Sequence, residues 1–347
     1  MGATGALDVL IVSLGSTTGL RTADESLAAS IERAGASVEI ASASEPRAVR
    51  TMSLTDLLWA RAARSAAERR LNGPSAVQPR AIIYSSTTAA MFWPRPGAIR
   101  FDAPAAGNRP GRHGLWQRPL ERRRLAEATL LIALSEGGLA EVPPAARSGE
   151  RALVLGLVAE PSGPLLGERD IAAITYAANP AKKGLDRVLE AWRRLRPVSG
   201  PARRGELVVA GADPGELRAA GIDLGSQEGV RSVGRLGSAE YRALVRRSRV
   251  FVCAPRREDY GAAQLEALAD GCLLVTTPAP GPYAALGIAR ELDDRLVSDD
   301  LAAALQSALD DPLEGYARRA AEALVGFSQA AIDRRVAQEL LPRLLGS

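Results

Sequence analysis

The sequence predicts an α/β protein made of two doubly wound domains. Three observations favour this fold class: a length of 347 residues, short apolar runs alternating with helical patterns, and a Pro- and Gly-rich stretch near the middle. A chain of this length exceeds one ordinary hydrophobic core. Strands that alternate with helices are typical of parallel sheets, which have helices on both faces.

The first half of the chain begins with the run "DVLIVSLG", which is typical of a buried parallel strand. The next segment predicts a helix that begins with a capping box at Thr22 and Glu25 and ends at Gly35. Further strands are predicted in "SVEIA", "AIIYS", "AIRFD", "TLLIAL" and "RALVLGLV". A long helix lies between the first two of these, and its spacing of apolar residues predicts a buried face made of Leu54, Leu57, Leu58 and Ala62.

The same alternation restarts after about residue 160. Strands are predicted in "IAAITYA", "ELVVAG", "VRSVG", "RVFVCAP" and "CLLVTT". The helix "GLDRVLEAWRRL" is expected to bury Leu185, Val188, Leu189 and Trp192. We therefore place the first domain at 1–159 and the second at 160–327, and expect the helix 328–347 to pack back on the first domain.

Composition excludes several classes of protein. No apolar run approaches the roughly 20 residues that span a bilayer, and the N-terminus has no basic region typical of a signal peptide. A cytoplasmic protein is therefore expected. Cys253 and Cys272 lie in strand-like runs, which favours buried reduced thiols over a disulfide or a metal site. The arginines alternate with acids and aromatic residues make up 4%, so no nucleic-acid-binding surface is indicated.

Lysine is almost absent. Of 44 basic residues only Lys182 and Lys183 are lysine, and both lie in "NPAKKGLDR". An ammonium group is a compact point charge that suits some phosphate sites, and Lys183 is the candidate for such a role. Lys182 is interpreted as a solvated surface charge. The Arg-rich helix "QRPLERRRLAEA" leaves a peripheral contact with an anionic membrane open.

The segment "EDYGAAQLEALADG" at 258–271 is the strongest candidate for a site. It follows a predicted strand, and ligands of open parallel sheets bind beyond the carboxyl ends of strands. A helix that begins at Gly261 with small side chains admits a phosphate closely. Glu258 and Glu266 would flank that phosphate and accept hydrogen bonds from hydroxyl groups, as a nucleotide-sugar requires. The alternative is that Glu258 and Asp259 only complement the helix dipole and that Glu266 is solvated.

These residues also resemble a known family. The segments "YAANPAKKGLDRVLEAW" and "VRSVGRLGSAEYRALVRRSRVFVCAPRREDYGAAQLEALADGCLLVTT" are similar to the donor domain of retaining GT-B glycosyltransferases, which carry a Glu-x7-Glu motif. The similarity is close over 171–278 and looser in the N-terminal half. It implies a GT-B fold with a cleft between two Rossmann-like domains. It also implies transfer of a hexose from a UDP- or GDP-sugar with retention, without a cofactor or an essential metal.

The resemblance assigns roles to individual residues. Lys183 matches the lysine that holds the diphosphate, Glu258 the glutamate that faces the donor sugar, and Glu266 the glutamate that binds ribose hydroxyls. Other donor contacts are implied for Gly19, Gly234, Arg235, Leu236, Asp259, Tyr260 and Gly261. The loop from Gly15 to Gly19 matches the one that meets the donor phosphates or the acceptor.

The sequence departs from the family pattern at two positions. Ala178 stands where many members have an arginine, and Asp102 stands where many have a histidine. Asp102 is therefore a candidate catalytic residue, and the only histidine, His113, is a weak candidate for the acceptor side. The acceptor class, whether a small molecule, a glycan or a lipid, stays open.

Two other functions compete with this interpretation. The two departures leave open a catalytically silent nucleotide- or sugar-binding protein on the same scaffold. A nicotinamide-dependent dehydrogenase would carry G-x-G-x-x-G after its first strand, and "GSTTGLRTAD" lacks that spacing.

Overall fold

The computed structural model describes residues 7–346 except 48, 50, 74–77, 110, 196–204 and 226, and the side chains of Asn108 and His113 lie outside the described part. The chain forms two compact units. The first comprises Met1–Val158 and Gln329–Ser347, and the second comprises Ala159–Ser328. Each border differs by one residue from the predicted one.

The first domain contains a parallel sheet with the strand order β2-β1-β3-β4-β5-β6. Its strands are β1 (Val9–Ser13), β2 (Val38–Ser42), β3 (Ala81–Tyr84), β4 (Ala98–Phe101), β5 (Leu131–Ala133) and β6 (Ala152–Val154). Its helices before the second domain are α1 (Thr18–Arg33), α2 (Met52–Asn72), α3 (Thr87–Ala90), α4 (Ala105–Asn108), α5 (Gln117–Glu127) and α6 (Glu136–Ala140). Side chains of β1 enter buried clusters on both faces of the sheet, so the prediction of a doubly wound domain is confirmed.

Helix α1 begins earlier than the sequence predicts. Thr17, not Thr22, is the N-cap, and its side-chain oxygen accepts a hydrogen bond from the amide of Leu20 at 3.2 Å. The predicted capping box is therefore wrong, because an equivalent hydroxyl is available more than one turn earlier. Gly35 follows the helix end with φ of +87°, as a glycine C-terminal signal predicts.

Helix α2 buries a different face from the predicted one. The predicted leucines, Leu54, Leu57 and Leu58, are half-buried or exposed, and Leu54 is 42% exposed. Ala60, Ala63 and Ala67 are instead fully buried. Small side chains allow the helix backbone to approach the sheet, so the alanine stripe makes the close contact and the larger leucines lie beside it.

The second domain contains a parallel sheet with the strand order β11-β10-β7-β8-β9. Its strands are β7 (Ile171–Tyr176), β8 (Leu207–Ala210), β9 (Val230–Gly234), β10 (Ser248–Cys253) and β11 (Leu273–Thr276). Its helices are α7 (Pro180–Lys183), α8 (Leu185–Arg194), α9 (Pro214–Ala219), α10 (Ser238–Arg247), α11 (Ala262–Ala269), α12 (Ala284–Asp293), α13 (Leu301–Asp310) and α14 (Tyr316–Ala323). Helix α8 buries the predicted apolar face, including the fully buried Trp192. Cys253 and Cys272 are buried free thiols, as predicted.

The last part of the chain returns to the first domain. It forms α15 (Gln329–Arg335), a π-helical turn (Val336–Leu340) and α16 (Leu341–Leu345). Ile332, Val336 and Leu340 join the core cluster that covers one face of β1, and Arg33 binds Asp333 at 2.7 Å. Among the described helices, none combines the length and the apolar character that a membrane span requires.

Candidate functional site

The candidate site lies at the carboxyl edge of the second sheet, where the chain changes direction. The chain runs from β7 through β8 to β9 on one side, and then returns to β10 on the other side of β7. The loops that follow β7 and β10 therefore meet at this edge, and the amide of Arg256 donates to the carbonyl of Lys182 at 3.0 Å. Such a switch point is where open α/β sheets bind ligands.

The lysine loop after β7 is shaped by two left-handed residues. Asn179 has φ of 58°, and its side-chain oxygen caps helix α7 by accepting from the amide of Lys182 at 3.1 Å. Gly184 has φ of +66°, and a Cβ there would lie 1.9 Å from the carbonyl oxygen of Ala254. Only glycine lets this loop lie against the end of β10. Lys183 is thereby carried to the loop that contains the first glutamate.

Lys183 and Glu258 form the central ion pair. Nζ of Lys183 donates to Oε2 of Glu258 at 2.6 Å. The Glu258 side chain is 7% exposed and that of Lys183 is 22% exposed. The carboxylate is therefore almost sealed by protein, whereas the ammonium group still reaches solvent.

A second ion pair stands beside the first and adds to the interpretation of Lys182. This residue is solvent-exposed, as interpreted, with a side chain 45% exposed, and its Nζ also contacts Oδ2 of Asp259 at 2.9 Å. Arg257 donates to the other oxygen of Asp259 at 2.8 Å. Burial raises the pKa of Asp259, but Lys182 and Arg257 together lower it below its ordinary value. The pKa falls because the two cations stabilise the charged form of the carboxylate.

The N-terminus of α11 opens beside Glu258. Gly261 precedes it with φ of +91°, and a Cβ there would lie 2.7 Å from the ring of Tyr283. The first helical residues are alanines with exposed or half-buried side chains, so the backbone amides are approachable. Tyr260 is buried, and its carbonyl accepts from the amide of Ala284 at 3.0 Å, which fixes the turn before the helix.

Glu266 lies about one turn further along α11, next to a pair of tyrosines. Burial raises its pKa, against the lowering effect of Arg242. The rings of Tyr176 and Tyr241 are 5.1 Å apart, and Glu266 interacts electrostatically with both. The hydroxyl of Tyr241 is buried and has no hydrogen-bond partner among the described residues.

The loop after β9 approaches the same tyrosine pair. Gly234 has φ of +66°, Arg235 is exposed, and Leu236 is half-buried. Arg235 contacts Asp213 at 3.0 Å and also pairs with Glu216. Its charge acts on Tyr176, whose pKa is nevertheless raised by burial. Arg235 and Glu266 therefore both act on Tyr176 at the end of β7, and Lys183 and Glu258 lie at the crossover between β7 and β10.

The remaining candidates lie in the first domain. Gly15 has φ of +58°, and its carbonyl accepts from Arg21 at 2.7 Å. Gly19 lies within the first turn of α1 and is exposed, so it belongs to a helix and not to the predicted loop. Asp102 is exposed and accepts from the amide of Ala103 at 2.7 Å. His113 lies in the 3₁₀ turn Gly111–Gly114, and its side chain is outside the described part of the structure.

Arg256 and Gln264 are among the residues of the candidate site that sequence reasoning missed. Arg256 binds the carbonyl of Ala181 at 2.6 Å and both oxygens of Asp186, at 3.0 and 2.7 Å, so it ties the lysine loop to the glutamate loop. Gln264 is buried on α11 and donates to Glu258. The signal for both was local: two basic residues directly before the acids in "RRED", and one amide on an otherwise apolar helix face.

The second domain matches a family model. Residues 168–311 match the model described as "Glycosyl transferases group 1". No curated protein matches the chain.

The whole chain is similar to solved glycosyltransferase structures. The crystal structure of WaaG, a glycosyltransferase involved in lipopolysaccharide biosynthesis, is 14% identical, with a TM-score of 0.67 over 98% of this chain and 100% of that chain. Sucrose-phosphate synthase from Thermosynechococcus elongatus is 15% identical, with a TM-score of 0.64 over 96% and 98%. HepE from Anabaena, in complex with UDP and glucose, is 14% identical, with a TM-score of 0.62 over 96% and 99%. The chain therefore has the GT-B fold of two Rossmann-like domains.

Proposed function

We propose that this protein is a glycosyltransferase that transfers a hexose from a UDP- or GDP-sugar to an acceptor, with retention at the anomeric carbon and without an essential metal. The observation that carries the proposal is the Lys183–Glu258 pair at the N-terminus of α11, at the switch point of the second sheet. The family match over 168–311 and the UDP and glucose in the HepE structure support the same class of donor.

The donor diphosphate fits the positive end of this site. Breaking the bond between the anomeric carbon and the diphosphate leaves negative charge on the leaving group. Lys183 and the first amides of α11 would stabilise that charge, and preorganised electrostatic stabilisation is usually the largest catalytic contribution. The ammonium group of Lys183 is the exposed member of its pair, so it can pass from Glu258 to the diphosphate.

Glu258 would then face the sugar. Its carboxylate can accept hydrogen bonds from hexose hydroxyls once Lys183 has moved, which orients the anomeric carbon for attack. The acceptor oxygen forms its bond on the face from which the diphosphate leaves. Its proton passes to a phosphate oxygen of the donor, so the step requires no separate base. Asp102 remains a candidate group on the acceptor side.

The nucleoside would lie toward Glu266. Two ribose hydroxyls match the acceptor capacity of this carboxylate, and the loop at Gly234, Arg235 and Leu236 would meet the base. Backbone groups of Asp259 and Gly261 would contact sugar and phosphate.

The acceptor is proposed only as a class: a small molecule, a glycan or a lipid. We propose a cytoplasmic protein, and a lipid acceptor would require contact with a membrane surface. Two arginines of α5 have internal roles, since Arg118 binds the carbonyl of Gly111 at 2.8 Å and Arg124 that of Met91 at 2.9 Å. Vesicle sedimentation with anionic and neutral lipids would measure such a contact.

The first experiment is a thermal-shift titration of the purified protein with UDP, GDP, ADP and NAD. A ligand that binds the native state raises stability by RT ln(1 + [L]/Kd), so a tenfold excess over Kd adds about 1.4 kcal/mol. We expect a shift with UDP or GDP that is lost in Lys183→Ala and in Glu266→Ala. A shift with NAD alone would contradict the proposal.

Turnover separates an enzyme from a silent binding protein. We expect release of UDP or GDP from the matching nucleotide-sugar, and a product whose anomeric configuration, read by proton NMR, equals that of the donor. Nucleotide binding without any turnover would favour the silent scaffold.

A further inference from the structure

Gln264 is a polar residue on the buried face of α11. The other buried residues of this helix are Leu265, Ala267, Leu268 and Ala269. Gln264 is only 2% exposed, and its Nε2 donates to Oε2 of Glu258 at 3.1 Å. The same nitrogen lies 3.6 Å from the sulfur of Cys253. The residue therefore places one amide donor against the carboxylate that the proposed function assigns to the donor sugar.

The orientation of this amide follows from charge. Turning it over would bring its carbonyl oxygen against the carboxylate of Glu258, which is repulsive, so Nε2 must face Glu258. Oε1 of Gln264 is then buried and has no hydrogen-bond partner among the described residues. An unpaired buried carbonyl lowers stability. An apolar side chain of similar size would avoid that cost, so packing alone does not account for a glutamine here.

Glu258 receives two donors of different exposure on one oxygen. Lys183 Nζ is 2.6 Å away, on a side chain that is 22% exposed. Gln264 is enclosed by protein. The backbone of Glu258 is fixed as well, because its amide donates to the carbonyl of Pro280 at 3.0 Å. A Cβ at Gly281 would lie 2.3 Å from the Glu258 carbonyl oxygen, so the neighbouring chain is tightly packed.

We propose that Gln264 is a positioning residue that keeps the Glu258 carboxylate in place after Lys183 has been drawn to the donor diphosphate. This role rests on the proposed function. An anionic ligand competes for the ammonium group of Lys183, but it does not compete for a neutral amide that is enclosed by protein. Gln264 would therefore act on the chemical step and not on nucleotide binding.

The test is Gln264→Met, which keeps an unbranched side chain of similar size and removes the amide. Hydrolysis of UDP-glucose, UDP-galactose, UDP-N-acetylglucosamine and GDP-mannose without acceptor gives kcat and KM, and titration with UDP and GDP gives Kd. We expect kcat to fall about 10-fold, since small misplacements of a reacting group have effects of this order, with KM and Kd within about twofold. The Tm should stay equal or rise, because the unpaired carbonyl is gone.

Two further variants assign the effect. Cys253→Ala removes the other neighbour of the amide, and its kcat should stay within about twofold of the wild type. In a Glu258→Ala background, adding Gln264→Met should cause no further loss, because coupled residues are not additive.

Three outcomes would overturn the role. One is an unchanged kcat in Gln264→Met while the wild type is active. Another is an equal further loss in the Glu258→Ala background. The third is a fall in kcat together with a fall in Tm and weaker UDP binding, which would assign the residue to packing. Absence of turnover by the wild type with every donor would instead overturn the proposed function, and this role with it.

Discussion

The two domains place an ion pair at equivalent edges of their sheets, and the two pairs differ in access. In the first domain, Arg100 and Asp24 meet at 3.3 Å near the ends of β1, β3 and β4, with side chains 6% and 3% exposed. In the second, Lys183 and Glu258 meet at 2.6 Å with side chains 22% and 7% exposed. One pair is sealed on both sides, and the other is sealed only around its acid.

The hydrogen-bond partners of each pair are consistent with its exposure to solvent. Asp24 also accepts from Ser13, and Arg100 also donates to the carbonyl of Ala23 at 3.0 Å, so protein groups take up several of their hydrogen-bonding positions. Burial raises the pKa of Asp24, an effect that Arg100 and Ser13 oppose. Lys183 has a single charged head on a thin stem and can exchange its partner for a ligand. The comparison indicates that position at the carboxyl edge of a sheet is not enough, and that solvent access of one charge separates the candidate site from a structural pair.

The largest expected effect belongs to the sealed pair. Asp24→Ala should destabilise the first domain by about 3 kcal/mol, because it leaves a buried guanidinium without its charged partner. Denaturant unfolding measures this, and replacing Asp24 and Arg100 together by leucine should restore most of the loss. The Kd for UDP of the folded variant should equal that of the wild type. A stability within about 0.5 kcal/mol of the wild type would contradict the assignment.

Substitution in the open pair, Lys183 and Glu258, should lower turnover more than it lowers the stability of the fold. Glu258→Ala is expected to lower kcat about 100-fold or more, equal to about 2.7 kcal/mol, because the donor sugar loses its positioning group. Glu228→Ala, at an exposed glutamate of the same domain, is the matched control and should be silent. Steady-state release of the nucleotide measures both. A loss under threefold at Glu258 would remove this residue from the site.

Glu266 gives a smaller effect that depends on pH. Burial raises its pKa, so on acidification it gains a proton earlier than an ordinary glutamate and loses acceptor capacity. The affinity for UDP should therefore begin to fall on acidification at a higher pH than an ordinary glutamate would cause, and it should fall roughly threefold more in the wild type than in Glu266→Gln. Protonation of UDP itself affects both proteins equally. Parallel pH profiles would show that this carboxylate does not meet the nucleoside.

The smallest effect is expected at a surface pair. Arg33, together with hydrogen bonds from Ser30 and Gln329, lowers the pKa of Asp333 from 3.8 to about 2. A lowered pKa means that the stabilisation is present above pH 3.8 and is lost as the pH falls toward 2. Because Arg33 is 46% exposed, solvent screens most of this attraction. Asp333→Asn should lower Tm at neutral pH by no more than about 2 °C, and the difference should vanish in acid. A much larger fall in Tm would indicate that the pair of Arg33 and Asp333 stabilises the fold as strongly as the sealed pair of Asp24 and Arg100.

The sequence predicted the sheet architecture because strand and helix periods are local properties. The runs around β1, β7 and β10 are apolar on both faces, as buried parallel strands require, and Trp192 lies on the predicted face of α8. The start of α1 was predicted wrongly because Thr17 and Thr22 can both serve as the N-cap residue, and the structure uses Thr17. The buried face of α2 was predicted wrongly because apolar spacing does not reveal which of two stripes, leucine or alanine, approaches the sheet.

The site was only partly predictable, since its key contacts join distant parts of the chain. The Glu-x7-Glu spacing indicates where carboxylates occur. It does not show that Lys182 reaches Asp259 or that Arg256 crosses to Asp186, because both contacts depend on the crossover between β9 and β10. The buried amide of Gln264 was visible as a composition anomaly on α11, but its partner was not.

The return of the chain to the first domain has a consequence for biosynthesis. Ile332, Val336, Leu340 and Leu341 complete a core whose other buried members were synthesised before the second domain. The second domain is continuous and can fold while the ribosome is still elongating. The first must hold an open apolar face until its last helices emerge. The first domain, although it is synthesised first, should therefore stay accessible to chaperones and proteases for longer than the second.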